Sequence, residues 1–313
     1  MAKVLVTGGA GFIGSALVHR FVERGDQVRV VDNFSTGFKH NLEDVLDRIE
    51  LIEGDVAKMA TAASAVRGMD YVLHEAAIPS VQRSVEDPIA SNEAGITATL
   101  NLLVAARDTG HVRRFVYASS SSAYGDSEVL PKVETMPENP ISPYALTKLA
   151  GEKYCGIFHR IYGFPTVALR YFNVFGPRQN PDSPYSAVIS RFINFALDGK
   201  SPTVNGDGEQ SRDFTYVENV VAANLLACTA EGAAGQFVNV GTGERHTLND
   251  LIRALGKMVG HDLKPVYGPN RTGDVRHSHA DISKARRVLG YEPAVKFEEG
   301  LRQTFDWYRK HRG

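Results

Sequence analysis

Short runs of β-branched residues alternate with longer segments whose apolar residues recur every three or four positions. The runs KVLVT (from Lys3), QVRVVD (from Gln27), IELIEGD (from Ile49), YVLHEAA (from Tyr71), RFVYASS (from Arg114) and TVALRYFN (from Thr166) predict strands. Between them the helical period covers 12–24, 92–108 and 145–161. Strands that alternate with helices imply βαβ units, hence a parallel sheet covered on both faces. From about residue 176 the pattern changes. Pro and Gly gather in GPRQNPDSP and VNGDGEQ, further helices are predicted at 185–198, 247–259 and 297–310, and FVNVG at 237–241 resembles one more strand returning to the sheet. The expected organisation is an α/β doubly wound parallel sheet (1–175 plus about 214–242) with a smaller, discontinuous second domain (about 176–213 plus 243–313). Neither an internal repeat nor a low-complexity tract is visible.

Composition narrows the function classes. The 313 residues are 43% hydrophobic and 23% charged with formal net charge −1, which argues against a partner that is nucleic acid or an anionic membrane. No apolar run is long enough to span a bilayer, and MAKVLVTGG enters a strand with no signal peptide before it, so a cytoplasmic protein is expected. Cys155 and Cys228 have no paired spacing, and the ten His form no metal-ligand pattern; HSH at 277–279 reads as surface imidazoles. No metal is expected.

Candidate chemistry begins at VLVTGGAGFIG, which sets Gly8, Gly11 and Gly14 at a strand-to-helix turn. Glycine there permits a tight turn, lets backbone N–H groups approach a pyrophosphate, and lets helix and strand pack closely. The helix N-terminus adds partial positive charge. The second strand ends in Asp32, where a carboxylate can accept hydrogen bonds from an adenosine ribose and repel a 2′-phosphate, favouring NAD over NADP. In GDV, Asp55 and Val56 lie either beside an adenine or, for Asp55, at a helix cap. Further on, SPYALTK places Tyr144 and Lys148 four apart on one helix face, with Pro143 in the first turn. A free phenol titrates near pH ~10, so Tyr144 is a poor base unless cations stabilise its anion. Lys148 and an oxidised nicotinamide would both supply positive charge; reaching pH ~7 requires about 4 kcal/mol.

The glycine turn, the serine-rich strand end YASSSSAYGD, SPYALTK and LRYFNVFGPR occur in this order along nearly the whole chain. Together they resemble the extended short-chain dehydrogenase/reductase family, and within it the UDP-sugar 4-epimerases. The resemblance implies a Rossmann NAD-binding domain, a nucleotide-sugar-binding domain, and a homodimer through helices 92–108 and 145–161. It implies Ser120, Tyr144 and Lys148 as the catalytic set, with Ser122 as a second hydroxyl. Tyr144, assisted by Ser120, would take the proton of the sugar 4-hydroxyl while the C4 hydride passes to NAD. The 4-keto sugar would then turn over and receive the hydride on its other face. Lys148 would also bond the nicotinamide ribose. The cofactor set implied is Gly8, Gly11, Phe12, Ile13, Gly14, Asp32, Asn33, Asp55, Val56, Ala76, Tyr144, Lys148 and Tyr171. For the substrate the resemblance implies Asn173 on the diphosphate. Arg212, Arg271 and Asp274 would hold the diphosphate and uridine ribose, and Val204 with Asn205 the uracil edge, with Ala187 and Val188 nearby.

Ser278 occupies the position that flanks the sugar 2-substituent in the resembling epimerases, and its small side chain leaves room for an N-acetyl group. The expected substrates are therefore UDP-GlcNAc and UDP-GalNAc as well as UDP-glucose and UDP-galactose. A 4,6-dehydratase would carry an Asp-Glu pair after the first serine, where Ser121 and Ser122 stand, and a decarboxylase a Glu in that strand. A glucuronate 4-epimerase would want an Arg where Asn180 stands, with Arg178 close by. A non-catalytic NAD-binding module would not need Tyr144, Lys148 and Ser120 together. Two positions depart from the family pattern. Gly95 stands where relatives usually have Asn, and Glu75 is an acid at the cofactor end of the sheet, either perturbing the nicotinamide or turned to solvent.

Overall fold

The computed structural model describes residues 1–180, 188–269 and 275–311. Seven strands form one parallel sheet: β1 (Lys3–Thr7), β2 (Gln27–Asp32), β3 (Ile49–Glu53), β4 (Tyr71–His74), β5 (Arg114–Ser120), β6 (Thr166–Tyr171) and β7 (Gln236–Val240). Their spatial order is β7-β6-β5-β4-β1-β2-β3, every neighbouring pair parallel. β1 has β2 on one side and β4 on the other, so the crossovers reverse direction there, and a crevice opens at the carboxyl edge of that switch point. This is a Rossmann-like fold. All six predicted strands of the first part are present, and the returning segment at 237–241 is β7.

Both faces are covered, which is why the strands are runs of Val, Ile, Leu and Phe rather than alternations. One face buries Val4, Val6, Val167 and Leu169 against helices Phe12–Glu23 and Val217–Thr229. The other buries Leu5, Val72, Phe115 and Ala168 against helices Ala98–Asp108 and Pro143–Tyr162. Helix Pro143–Tyr162 starts where Ser142 accepts a bond from Ala145 N at 3.1 Å. It ends at Gly163, whose φ of +65° few other residues adopt. It packs tightly on β5, since a Cβ added at Gly151 would lie 2.3 Å from the Tyr117 hydroxyl.

The stretch expected as one helix over 92–108 is broken. A short helix Pro88–Asn92, capped by Asp87, runs into a π-turn at Glu93–Thr97 before helix Ala98–Asp108 begins. Gly95 lies in that turn, and a Cβ on it would stand 2.5 Å from Cβ of Thr147. Only hydrogen fits between the turn and the helix that carries Lys148, which accounts for the glycine. Beyond β6, short two-stranded ladders join Thr203–Asn205 to Val266–Gly268 and Ser211–Arg212 to His246–Thr247, beside helices Val188–Leu197, Leu248–Val259 and Phe297–Lys310. Among the described residues no helix is long and apolar enough to cross a membrane, and both cysteines are free.

Candidate active site

The glycine turn closes on itself: Gly8 N donates to Val31 O at 2.8 Å, and Gly11 N to Gly8 O at 3.0 Å. Gly8 has φ +67°, and a Cβ on it would meet the Ala76 backbone at 2.8 Å; one on Gly14 would meet Gly8 O at 2.1 Å. Helix Phe12–Glu23 starts with no capping side chain and no acid in its first turn. The N–H groups around Phe12 and Ile13 therefore keep capacity for an anion, and a cradle that any Cβ would fill suits a pyrophosphate. Asp32 is buried; its oxygens accept from Ala10 N at 2.9 Å and Phe34 N at 2.8 Å. Burial raises its pKa while these backbone bonds pull it down, and each oxygen retains a lone pair. Asn33 closes its own turn onto Ser35 N. Asp55 accepts from Ala57 N at 2.9 Å in the turn before helix Met59–Val66, whose cap position is Lys58, and Val56 beside it is buried. Ala76 N donates to the Thr7 hydroxyl at 3.2 Å.

Ser120 is the last residue of β5, opposite Tyr171 in the register. Its hydroxyl accepts from Ser122 N at 3.2 Å and from the Ser122 hydroxyl at 2.9 Å. Tyr144, in the first turn of its helix, stands close enough for the Ser120 hydroxyl to act on its phenol. Burial pushes the phenol's pKa up, the bond with Ser120 pulls it down, and the charge of Glu75 pushes it up again. Lys148, 5% exposed, donates to Ala118 O at 2.7 Å; burial lowers its pKa and Glu75 counteracts this. The expectation that Lys148 lowers the Tyr144 pKa does not hold for the protein alone. Its ammonium is directed to a strand carbonyl and balanced by Glu75, so desolvation of the phenol dominates.

Glu75 is not turned to solvent. Its Oε1 accepts from Tyr171 OH at 2.8 Å, and that hydroxyl accepts from Asn224 Nδ2 at 2.8 Å. Below the site, Ser119 donates to Glu152 Oε2 at 2.9 Å, and the fully buried Arg170 grips both Glu152 oxygens at 2.7 and 2.6 Å. The Arg170 guanidinium lies 4.6 Å from the Tyr124 ring centre and 4.3 Å from that of Phe237. This network ties β5, β6 and the Tyr144 helix together. Sequence reasoning missed it, although Glu152 stands two helical turns past Tyr144.

Asn173, with φ +29°, donates to Asp213 O at 3.2 Å and to the Ser278 hydroxyl at 3.3 Å, so the two predicted substrate positions touch. A cavity of about 240 Å³ opens beside them, lined in part by Asn173, Val188, Val204, Asn205, Gln210 and Arg212. Arg212 donates to the carbonyls of Ser211 and Arg276, both at 3.0 Å. Gln210, also missed, donates to Asn205 O at 2.6 Å while its buried Oε1 has no hydrogen-bond partner among the described residues. Its signal was its place in VNGDGEQ beside two residues already singled out. Arg178, at φ +65°, donates to the Ser15 hydroxyl at 3.2 Å and so is drawn onto helix Phe12–Glu23. Ala187, Arg271 and Asp274 lie outside the described residues.

A glycine cradle at the switch point of a doubly wound sheet, with a Ser–Tyr–Lys set beside it and a second cavity beyond, defines a nucleotide-dependent enzyme of the short-chain dehydrogenase/reductase kind. The chain belongs to the NAD dependent epimerase/dehydratase family, whose model matches residues 4–241. It is similar to a UDP-N-acetylglucosamine 4-epimerase from Methanobrevibacter ruminantium, solved in complex with UDP-N-acetylmuramic acid. The identity is 39%, with 99% of each chain covered and a TM-score of 0.95. A UDP-glucose 4-epimerase from Thermotoga maritima, solved with UDP-glucose, matches at 40% identity over 98% of this chain and 99% of that one, TM-score 0.93. A UDP-N-acetyl-alpha-D-glucosaminuronate decarboxylase of Bacillus cytotoxicus is 32% identical over 98% of either chain.

Proposed function

We propose that this protein is an NAD-dependent UDP-hexose 4-epimerase that accepts both plain and 2-acetamido sugars. The observation that carries the reading is the convergence of Tyr144 and Ser122 on the hydroxyl of Ser120, with Lys148 anchored one helical turn behind Tyr144. Three hydroxyls gathered at one strand end can bond a sugar hydroxyl and pass its proton along. The residues after Ser120 are Ser121 and Ser122, so no carboxyl group stands there for a dehydration or decarboxylation. Arg178 is engaged by Ser15, which weighs against a recognition site for a uronic acid built on that side chain.

In this reading Gly8, Gly11, Phe12, Ile13 and Gly14 hold the pyrophosphate of NAD. Asp32 and Asn33 take the adenosine ribose, Asp55 and Val56 lie by the adenine, and Ala76, Tyr171, Tyr144 and Lys148 surround the nicotinamide ribose end. The bound cofactor supplies a carbon that accepts the C4 hydride of the sugar and later gives it back. Tyr144 takes the 4-hydroxyl proton, with Ser120 and Ser122 fixing the oxygen, and returns it after the 4-keto sugar has presented its other face. For that rotation the protein must hold the nucleotide firmly and the hexose loosely. Asn173 and Arg212 suit the diphosphate, and Val204, Asn205 and the open acceptor of Gln210 suit the N–H edge of uracil. The second domain (about 176–213 plus 243–313) is the sugar-nucleotide part.

Ser278 bonds Asn173 and carries little bulk, so it leaves space at the 2-position. A panel of UDP-hexoses, UDP-N-acetylhexosamines and UDP-glucuronate, followed by NMR for inversion at C4, tests the reading. Inversion of both hexose classes is expected, and Ser278→Tyr should lose only the acetamido sugars. Inversion of UDP-glucuronate alone, or loss of carbon dioxide from it, would refute the assignment. A cytoplasmic homodimer is part of the proposal. Helix Pro143–Tyr162 leaves Leu146 and Ile161 exposed and Tyr154 and Ile157 half-buried, and Leu100 on helix Ala98–Asp108 is half-buried as well, apolar surface that a second copy would cover.

A further inference from the structure

Glu75 has no part in the reaction above. It follows β4, and its backbone abuts the glycine turn: a Cβ on Gly8 would lie 3.1 Å from the Glu75 carbonyl carbon. Its carboxylate receives the Tyr171 hydroxyl, which is held in turn by Asn224. The groups around it come from every neighbouring element. β6 brings Tyr171; helix Pro143–Tyr162 brings Tyr144 and Lys148; helix Val217–Thr229 brings Asn224, with Cys228 acting on Tyr171. β1 and its turn bring the uncharged Thr7 and Gly8. His74, next to it on β4, is engaged by the hydroxyls of Thr7 and Thr99.

A half-buried carboxylate is costly unless positive charge or donors compensate it. Here one phenol donates and one ammonium lies near, and the charge of Glu75 hinders ionisation of Tyr144. It therefore does not assist the base; what it favours is positive charge in the cleft. Lys148 is one such charge. The other, given the dinucleotide site proposed above, is a nicotinamide, which is cationic only when oxidised.

We propose that Glu75 is a positioning residue whose carboxylate balances Lys148 and biases the site toward the oxidised over the reduced nicotinamide. The inference rests on the NAD-site reading. A site with this bias favours return of the hydride to the sugar, so a keto intermediate is short-lived and little reduced cofactor accumulates.

The test is the ratio of dissociation constants for NADH and NAD, measured by titration of the purified protein without sugar. Glu75→Gln, which keeps the size and an acceptor for Tyr171, should lower the NADH/NAD ratio about tenfold, the equivalent of one pK unit. Glu75→Asp, which keeps the charge, should stay within about twofold of the unaltered protein on the same scale. A merely structural role would give the reverse order, with Gln harmless and Asp disruptive, and would overturn the inference. Burial raises the Glu75 pKa above the ordinary carboxylate range, so in the unaltered protein the ratio should rise as pH increases and Glu75 ionises. Lys148 losing its proton pushes the same way, and whatever rise survives in Glu75→Gln belongs to Lys148. A ratio flat with pH in the unaltered protein, or identical in the Gln variant, contradicts the proposal. Failure of the unaltered protein to bind either nucleotide would instead bring down the NAD site itself, and this inference with it.

Discussion

Replacing Glu152 by Ala should destabilise the protein and displace the machinery above it. Arg170 is 0% exposed, and Glu152 supplies it with two hydrogen bonds of 2.7 and 2.6 Å. Its remaining carboxylate partner, Glu138, is 3.1 Å away, partly exposed and shared with Lys153. The Ala variant therefore leaves a buried guanidinium short of charge compensation and the Ser119 hydroxyl without its acceptor. Removing one partner of a buried pair costs about 3–5 kcal/mol. Glu152→Gln retains one acceptor oxygen and the side-chain volume, so its cost should be smaller, about 1–3 kcal/mol. The assay is urea unfolding followed by circular dichroism. Glu152→Ala with Arg170→Leu should recover part of the loss, because an apolar replacement of both partners removes the unpaired charge. Activity provides a second readout. Glu152 lies one turn beyond Lys148 on the same helix, so the folded Ala variant should lose turnover more than substrate affinity. A cost below about 1 kcal/mol for Ala, or equal costs for Ala and Gln, would refute the claim that this pair pins the helix to the sheet.

Three further outcomes follow from particular contacts. Burial pushes His74 from 6.5 down to about 3, so the folded protein resists taking a proton that the unfolded chain accepts. Stability attributable to His74 is whole above pH 6.5 and falls, by about 1.4 kcal/mol per unit, as pH drops toward 3; urea midpoints of His74→Gln should lose that slope. Gly14→Ala would drive a Cβ to 2.1 Å from Gly8 O, and titration should show lost affinity for NAD and NADH alike. Gly95→Ala would press on Thr147 beside Lys148 and should cost about 1–3 kcal/mol in thermal or urea unfolding.

Much of this architecture is legible in the chain because its signals are local. Each β-branched run expected in the first part is a strand, and Gly8, Gly14 and Asp32 stand where a strand-to-helix turn and a strand end require them. Elements whose cause is distant were not legible. Helix Val217–Thr229 carries apolar residues around most of its circumference because it is packed between other elements, so its sequence shows little amphipathic period. The π-turn at Glu93–Thr97 seats Gly95 against Thr147, more than fifty residues away in sequence, a close approach that no local pattern announces. Arg170 looked like one arginine in a strand, and only the fold brings Glu152 to it. The direction of the Tyr144 shift depended on the burial of the phenol and on Glu75, which a four-residue spacing cannot reveal.

In the proposed reaction a phenol beside a serine hydroxyl removes a proton while C4 of a bound hexose lends and regains its own hydrogen. Deuterium placed at C4 of UDP-glucose, or of UDP-GlcNAc, tests this directly by NMR of the inverted product in ordinary water. The label should stay at C4 of the product, and Tyr144→Phe should abolish inversion while still binding NAD. Loss of the label to water during inversion would contradict the proposed reaction.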